Sequence, residues 1–108
     1  MLSLGEALPS EEILRDQEAP DPHVWMDVAL WSRTAPAVAE ALARMDPSGA
    51  EKYRERARNL QDRLRALDAW AREQVGKIPP NRRLLVTAHD AFAYFGRAYG
   101  LEVGVSRG

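Results

Sequence analysis

Residues 83–105 read RLLVTAHDAFAYFGRAYGLEVGV, and this stretch decides the fold class. The apolar run from Arg83 to Ala88 predicts a buried strand. His89-Asp90 ends it, and a short amphipathic helix is expected from Ala91 to Tyr99. Gly100 is placed to stop that helix, because glycine takes the left-handed conformation at the residue after a helix end. Leu101 to Val105 then reads as a second strand. Strand, helix, strand in so short a span is the start of a βαβ unit and implies a parallel pair. The fold class expected is therefore α/β, mostly helical by count. A lone parallel pair is not stable by itself, so the sequence reads as the beginning of a larger sheet.

Upstream lies the clearest periodicity. Tyr53, Ala57, Leu60, Leu64, Leu67 and Ala71 form an apolar seam among Arg, Glu, Asp and Gln, which predicts a helix over 47–75. Asp46 and Pro47 suit its cap and first position, and Ser48 with Glu51 suits a capping box. Gly76 and then Ile78-Pro79-Pro80 stop it. At 1.5 Å per residue such a helix is on the order of 40 Å long, which is long for so small a chain. A preceding helix is expected from an Asp27 cap to about Met45, with Leu30, Trp31, Thr34, Val38, Ala41, Leu42 and Met45 near helical spacing. Pro36 leaves two readings open: a kink, or a later start near Ser32 or Thr34. Residues 1–22 read as a polar lead with short helical potential. Ala19-Pro20-Asp21-Pro22 is expected to break regular structure, and 23–26 to form a short extended or loop segment.

Composition narrows the function. The 108 residues are 45% apolar and 29% charged with a net charge of −1, an ordinary globular balance. No basic excess exists to release counterions from phosphates, so nucleic acid is not expected as a partner. There is no cysteine, which excludes disulfides, thiolate zinc fingers and a cysteine nucleophile. No apolar run approaches the ~18 residues of a membrane span. The first 20 residues carry Glu6, Glu11, Glu12 and Glu18 and lack a basic start followed by an apolar run, so they are not expected to be a signal peptide. No phosphate-binding loop, dinucleotide fingerprint, HExxH or GxSxG occurs, and no enzyme is expected.

The two histidines stand out. His89 follows a strand, at the strand end where open α/β sheets collect ligands. His23 sits in a Pro-rich loop before a helix. Imidazole ligates zinc, manganese and iron, yet two histidines 66 positions apart are no local metal motif, and from spacing alone local capping or packing is the preferred reading of each. Asp90 is placed either to orient the His89 ring or to cap the next helix, with capping preferred, and Asp27 also suits a cap. Trp25, Trp31, Phe92, Tyr94, Phe95 and Tyr99 are expected mainly in the core.

Two motifs carry a resemblance. Asp21-Pro22-His23-Val24-Trp25-Met26-Asp27 resembles the "DPHvWld" motif of the metal-binding solute receptors of bacterial zinc and manganese ABC importers. Thr87-Ala88-His89-Asp90-Ala91-Phe92-Ala93-Tyr94-Phe95 with Tyr99-Gly100-Leu101-Glu102 is similar to their "H-x-AF-x-Yfa-x-x-yGLe" motif. The order and the intervening charged helix match from about residue 20 to 105. The resemblance implies a partial chain of a two-lobe α/β protein. Residues 1–46 would end the amino-terminal lobe, 47–76 would be the rigid linking helix, and 77–108 would start the carboxy-terminal lobe. It implies that His23 and His89 are metal ligands, one from each lobe, with Asp27 and Asp90 as candidates to support them. It implies a zinc or manganese cargo. Zinc is favoured, because some manganese-type receptors carry Glu at the His89 position. It also implies an importer membrane subunit as partner and a periplasmic or extracytoplasmic location. Two further family ligands, an earlier histidine and a later acidic residue, have no counterpart in the sequence, and Val28 replaces a common proline. The alternative is a truncated relative acting as a helical association module, a homo-oligomer paired through the 53–71 seam without tight metal binding.

Overall fold

The longest element is the helix α3, Ala50–Gly76. In the computed structural model, which describes residues 2–106, the rest of the chain is arranged along this rod, and the molecule measures 53 × 33 × 23 Å. A two-residue hairpin, β1 (Arg15–Asp16) with β2 (Ala19–Pro20), comes first. It is followed by α1 (Val28–Ser32), α2 (Ala35–Met45), α3, β3 (Leu84–Thr87), α4 (Ala93–Tyr99) and β4 (Glu102–Val105). Single 3-10 turns cover Ser10–Glu12, Val24–Met26, Pro47–Gly49 and Pro80–Arg82. Among the described residues no helix is long and apolar enough to cross a membrane.

The strand–helix–strand expectation holds in order and sense. β3 and β4 are parallel, with Leu84 opposite Glu102 and Thr87 opposite Val105. Gly100 ends α4 at φ +77°, and the Gly100 and Leu101 N–H groups both donate to the Gly96 carbonyl. The strand is not buried on both faces, however. Leu84 and Val86 are 60% and 59% exposed, because among the described residues the sheet has two strands and α4 covers one face.

The Pro36 choice resolves into two helices. Asp27 caps α1, its carboxylate accepting from the Leu30 N–H at 3.0 Å. The chain breaks at Arg33-Thr34, and α2 starts with Pro36 in its first turn, where the missing N–H costs nothing. The Ser32 carbonyl, whose helical partner would be that absent N–H, accepts from Gln61 Nε2 at 3.1 Å instead. α2 faces inward not with Val38, Leu42 and Met45, which are 36%, 39% and 83% exposed, but with buried Ala35, Ala39 and Ala43. Three alanines one turn apart thus make the buried stripe of α2, with Val38 and Leu42 beside it.

At the start of α3 the capping expectations fail. Asp46 precedes a 3-10 turn, α3 begins after Gly49 without a side-chain cap, and the Ser48–Glu51 box does not form. The Asp46 carboxylate instead accepts from Ser48 Oγ at 2.8 Å and the Tyr53 hydroxyl at 2.7 Å, and the Tyr53 bond above all lowers its pKa. Beyond Gly76, Arg83 donates to the Ile78 and Gly76 carbonyls at the end of α3.

The seam itself has a partner in the same chain. α1 and α2 lie along α3, and Tyr53, Ala57, Leu60 and Leu64 share a groove of about 350 Å³ with Val38 and Leu42. Pairing of two copies through residues 53–71 is therefore not supported, although Leu60 in the groove and Leu67 further along α3 remain about half exposed. The main core is elsewhere: Leu8, Val24, Leu30 and Tyr94, backed by Ile13, Leu14, Met26 and Trp31. It joins the amino-terminal segment, the loop bearing His23, α1 and α4.

Candidate metal centre

His23 is held by its own loop. Asp21 Oδ1 accepts from the His23 backbone N–H at 3.0 Å and meets His23 Nδ1 at 2.7 Å. An aspartate two residues ahead commonly closes such a turn on the backbone. An ionised carboxylate can only accept, so Nδ1 carries the proton and Nε2 keeps the free lone pair. The two side chains are only 19% and 13% exposed. Pro20 and Pro22 on either side of Asp21 stiffen the approach.

His89 leaves the carboxyl end of β3. Its carbonyl accepts from Thr87 Oγ1 and from the Ala91 N–H, both at 2.9 Å, which fixes the turn into α4. The residue is exposed. Although 66 positions apart, the two imidazoles meet edge to face, centroids 5.5 Å apart at 86°. Trp25 flanks His23 at 5.4 Å. Among the described residues no group of three or more His, Cys, Asp or Glu side chains that could hold a metal ion is found, and the two histidines stand as a candidate pair.

The carboxylate beside the pair is neither of the two expected. Asp27 is occupied as the α1 cap. Asp90 is exposed, and α4 begins at Ala93 with Phe92 in the cap position and no side-chain cap, so the preferred capping role is not found either. Asp21 is the carboxylate on the His23 ring. Its sequence signal was its place two residues before His23. The aromatic set divides as well: Tyr94 and Tyr99 are buried, whereas Trp25 is 47% exposed beside the histidine.

A strand-end histidine and a loop histidine thus meet in an α/β chain built around one long helix, the arrangement the motif resemblance implies for one part of a two-lobe fold. The comparisons give the family. The model described as "Zinc-uptake complex component A periplasmic" matches residues 2–108, and the chain belongs to this family. It is 44% identical over 104 residues to the zinc-binding protein TroA of Treponema pallidum, covering 95% of this chain and 34% of the relative. It is 37% identical over 103 residues to the manganese-binding lipoprotein MntA of Bacillus subtilis, covering 94% and 34%. The solved periplasmic zinc binding protein TroA from Treponema pallidum superposes with a TM-score of 0.91 at 42% identity, covering 96% of this chain and 38% of that one. The chain thus spans about a third of the length of the curated relatives it matches.

Proposed function

We propose that the chain supplies two imidazole ligands to a divalent metal ion, as part of the substrate-binding component of an ABC metal importer working outside the cytoplasmic membrane. The observation that carries the reading is the His23–His89 approach at 5.5 Å with Asp21 on Nδ1 of His23. Two imidazoles bound to one tetrahedral ion at about 2.0–2.1 Å have ring centroids roughly 5 Å apart. A carboxylate on the far ring nitrogen is the usual companion of a metal-bound histidine, because it fixes the tautomer and raises ligand basicity. In this reading residues 1–46 belong to the amino-terminal lobe, α3 links the lobes, and residues 77–108 belong to the carboxy-terminal lobe. The metal is the cargo. Paired nitrogen donors favour zinc over manganese, and the 44% identity to a protein named for zinc supports the same choice.

The test is calorimetric titration of metal-stripped chain with zinc and with manganese, beside His23→Ala and His89→Ala. The expected result is zinc uptake weakened at least tenfold by each substitution, with manganese binding weaker throughout. A variant that binds zinc as the parent does contradicts the shared centre.

A further inference from the structure

The search for what sets the His23–His89 approach leads to two tyrosines on α4. Leu14 and Asp21 are the next pair outward from the β1–β2 hairpin, whose register joins Arg15 to Pro20 and Asp16 to Ala19. The Asp21 N–H donates to the Leu14 carbonyl at 2.8 Å, one of the two bonds such a pair exchanges. In place of the other bond stands the Tyr94 hydroxyl. It accepts from the Leu14 N–H at 2.9 Å and donates to the Asp21 carbonyl at 2.8 Å. Tyr94 is fully buried, so its hydroxyl is held in place against these two backbone groups. The same Asp21 holds both the N–H and the ring of His23. Downstream, the Tyr99 hydroxyl accepts from the Val28 N–H at 3.2 Å, one of the free donors at the start of α1. It donates to Asp68 Oδ1 on α3 at 2.9 Å, and Arg72 steadies the other Asp68 oxygen at 3.2 Å. The loop carrying His23 is thus fastened at Asp21 and at Val28, both times by the helix that follows His89.

We propose that Tyr94 and Tyr99 are positioning residues for the two-histidine centre, their hydroxyls clasping the 21–28 loop to α4 so that Asp21 presents His23 to His89. This rests on the metal reading for its purpose, although the clasp is readable without metal. Without the Tyr94 hydroxyl, the Leu14–Asp21 pair closes directly or leaves two part-buried backbone groups without this partner. Either change moves Asp21 and the ring it holds.

The experiment compares Tyr94→Phe and Tyr99→Phe in the full chain with Tyr53→Phe, whose hydroxyl serves Asp46 at the start of α3. Far-UV circular dichroism reads the fold, long-range proton–nitrogen spectra of the metal-free chain read the His23 tautomer, and calorimetry reads zinc affinity. The expected result is a folded Tyr94→Phe with the fixed Nδ1–H tautomer lost. Zinc affinity should fall about tenfold or more in both clasp variants, the range for groups that orient a ligand, and stay unchanged in Tyr53→Phe. A folded Tyr94→Phe with unaltered tautomer and affinity overturns the proposal. If Tyr94→Phe does not fold, Tyr99→Phe decides by its affinity. Failure of both to fold assigns the hydroxyls to folding and overturns a positioning role. If the parent chain takes up no zinc, the metal reading fails, while the tautomer in Tyr94→Phe still decides the clasp.

Discussion

Gly96 lies where α4 crosses β4, and replacing it with alanine sets two effects against each other. In favour of alanine, glycine inside a helix is worse by about 1 kcal/mol. Gly96 has no positive φ, so alanine carries no backbone strain there. Against it, an added Cβ would stand 2.5 Å from Val103 Cγ2 and 2.7 Å from the Leu101 carbonyl oxygen. The valine methyl can turn aside. The carbonyl cannot, because the Leu101 N–H is itself bonded to the Gly96 carbonyl at 2.9 Å, closing the turn after α4. Overpacking that moves backbone costs about 1–3 kcal/mol, and the contact with a fixed atom puts this site near the upper end. The difference is a net loss of about 2 kcal/mol, roughly 10 °C in Tm for a chain of this size. Thermal unfolding followed by circular dichroism measures it. A Tm equal to or above that of the parent refutes the reasoning, since helix propensity would then outweigh the contact with β4.

Further outcomes follow from the same contacts. Gln61→Ala should cost about 1–2 kcal/mol in denaturant unfolding, because the Ser32 carbonyl loses the partner that substitutes for the N–H absent at Pro36. Asp27→Ala, which removes the α1 cap, should cost about 1 kcal/mol, and Asp27→Asn should recover most of it. Burial above all pushes the Tyr99 hydroxyl up to about 12. The unfolded chain therefore releases that proton first, near pH 10. Its contribution to stability should be fully present below pH 10 and be lost as pH rises toward 12. A pH series of urea midpoints in the parent and Tyr99→Phe checks this, and an equal alkaline loss in both would contradict it.

The legible parts of the sequence were those where pattern and local chemistry agree. The apolar run before His89, the stop at Gly100 and the period of α3 each gave an element within a few residues of its place. The hairpin was not legible. Its turn places Gln17 at φ 58° with neither Gly nor Asn to signal it, and Pro20 argued against a strand. Tertiary contact overrode the local caps, since Asp46 is taken by Tyr53 from the first turn of α3. In α2 the large apolar residues suggested one inward face, yet the buried stripe is Ala35, Ala39 and Ala43, with Val38 and Leu42 partly open in the groove against α3. The two histidines were visible as residues. The carboxylate on the His23 ring was not: Asp27 and Asp90 were weighed as supports or, by preference, caps, whereas the turn geometry of Asp21-Pro22-His23 brings Asp21 to the ring.

The central claim is that His23 and His89 share one metal ion. X-ray absorption at the zinc edge of the loaded chain reads the ligands directly. The account expects scattering from two imidazoles per zinc, with nitrogen at about 2.0–2.1 Å, falling to one in His89→Ala and one in His23→Ala. A spectrum of an ion coordinated by oxygen alone, or two imidazoles persisting in either variant, would contradict it.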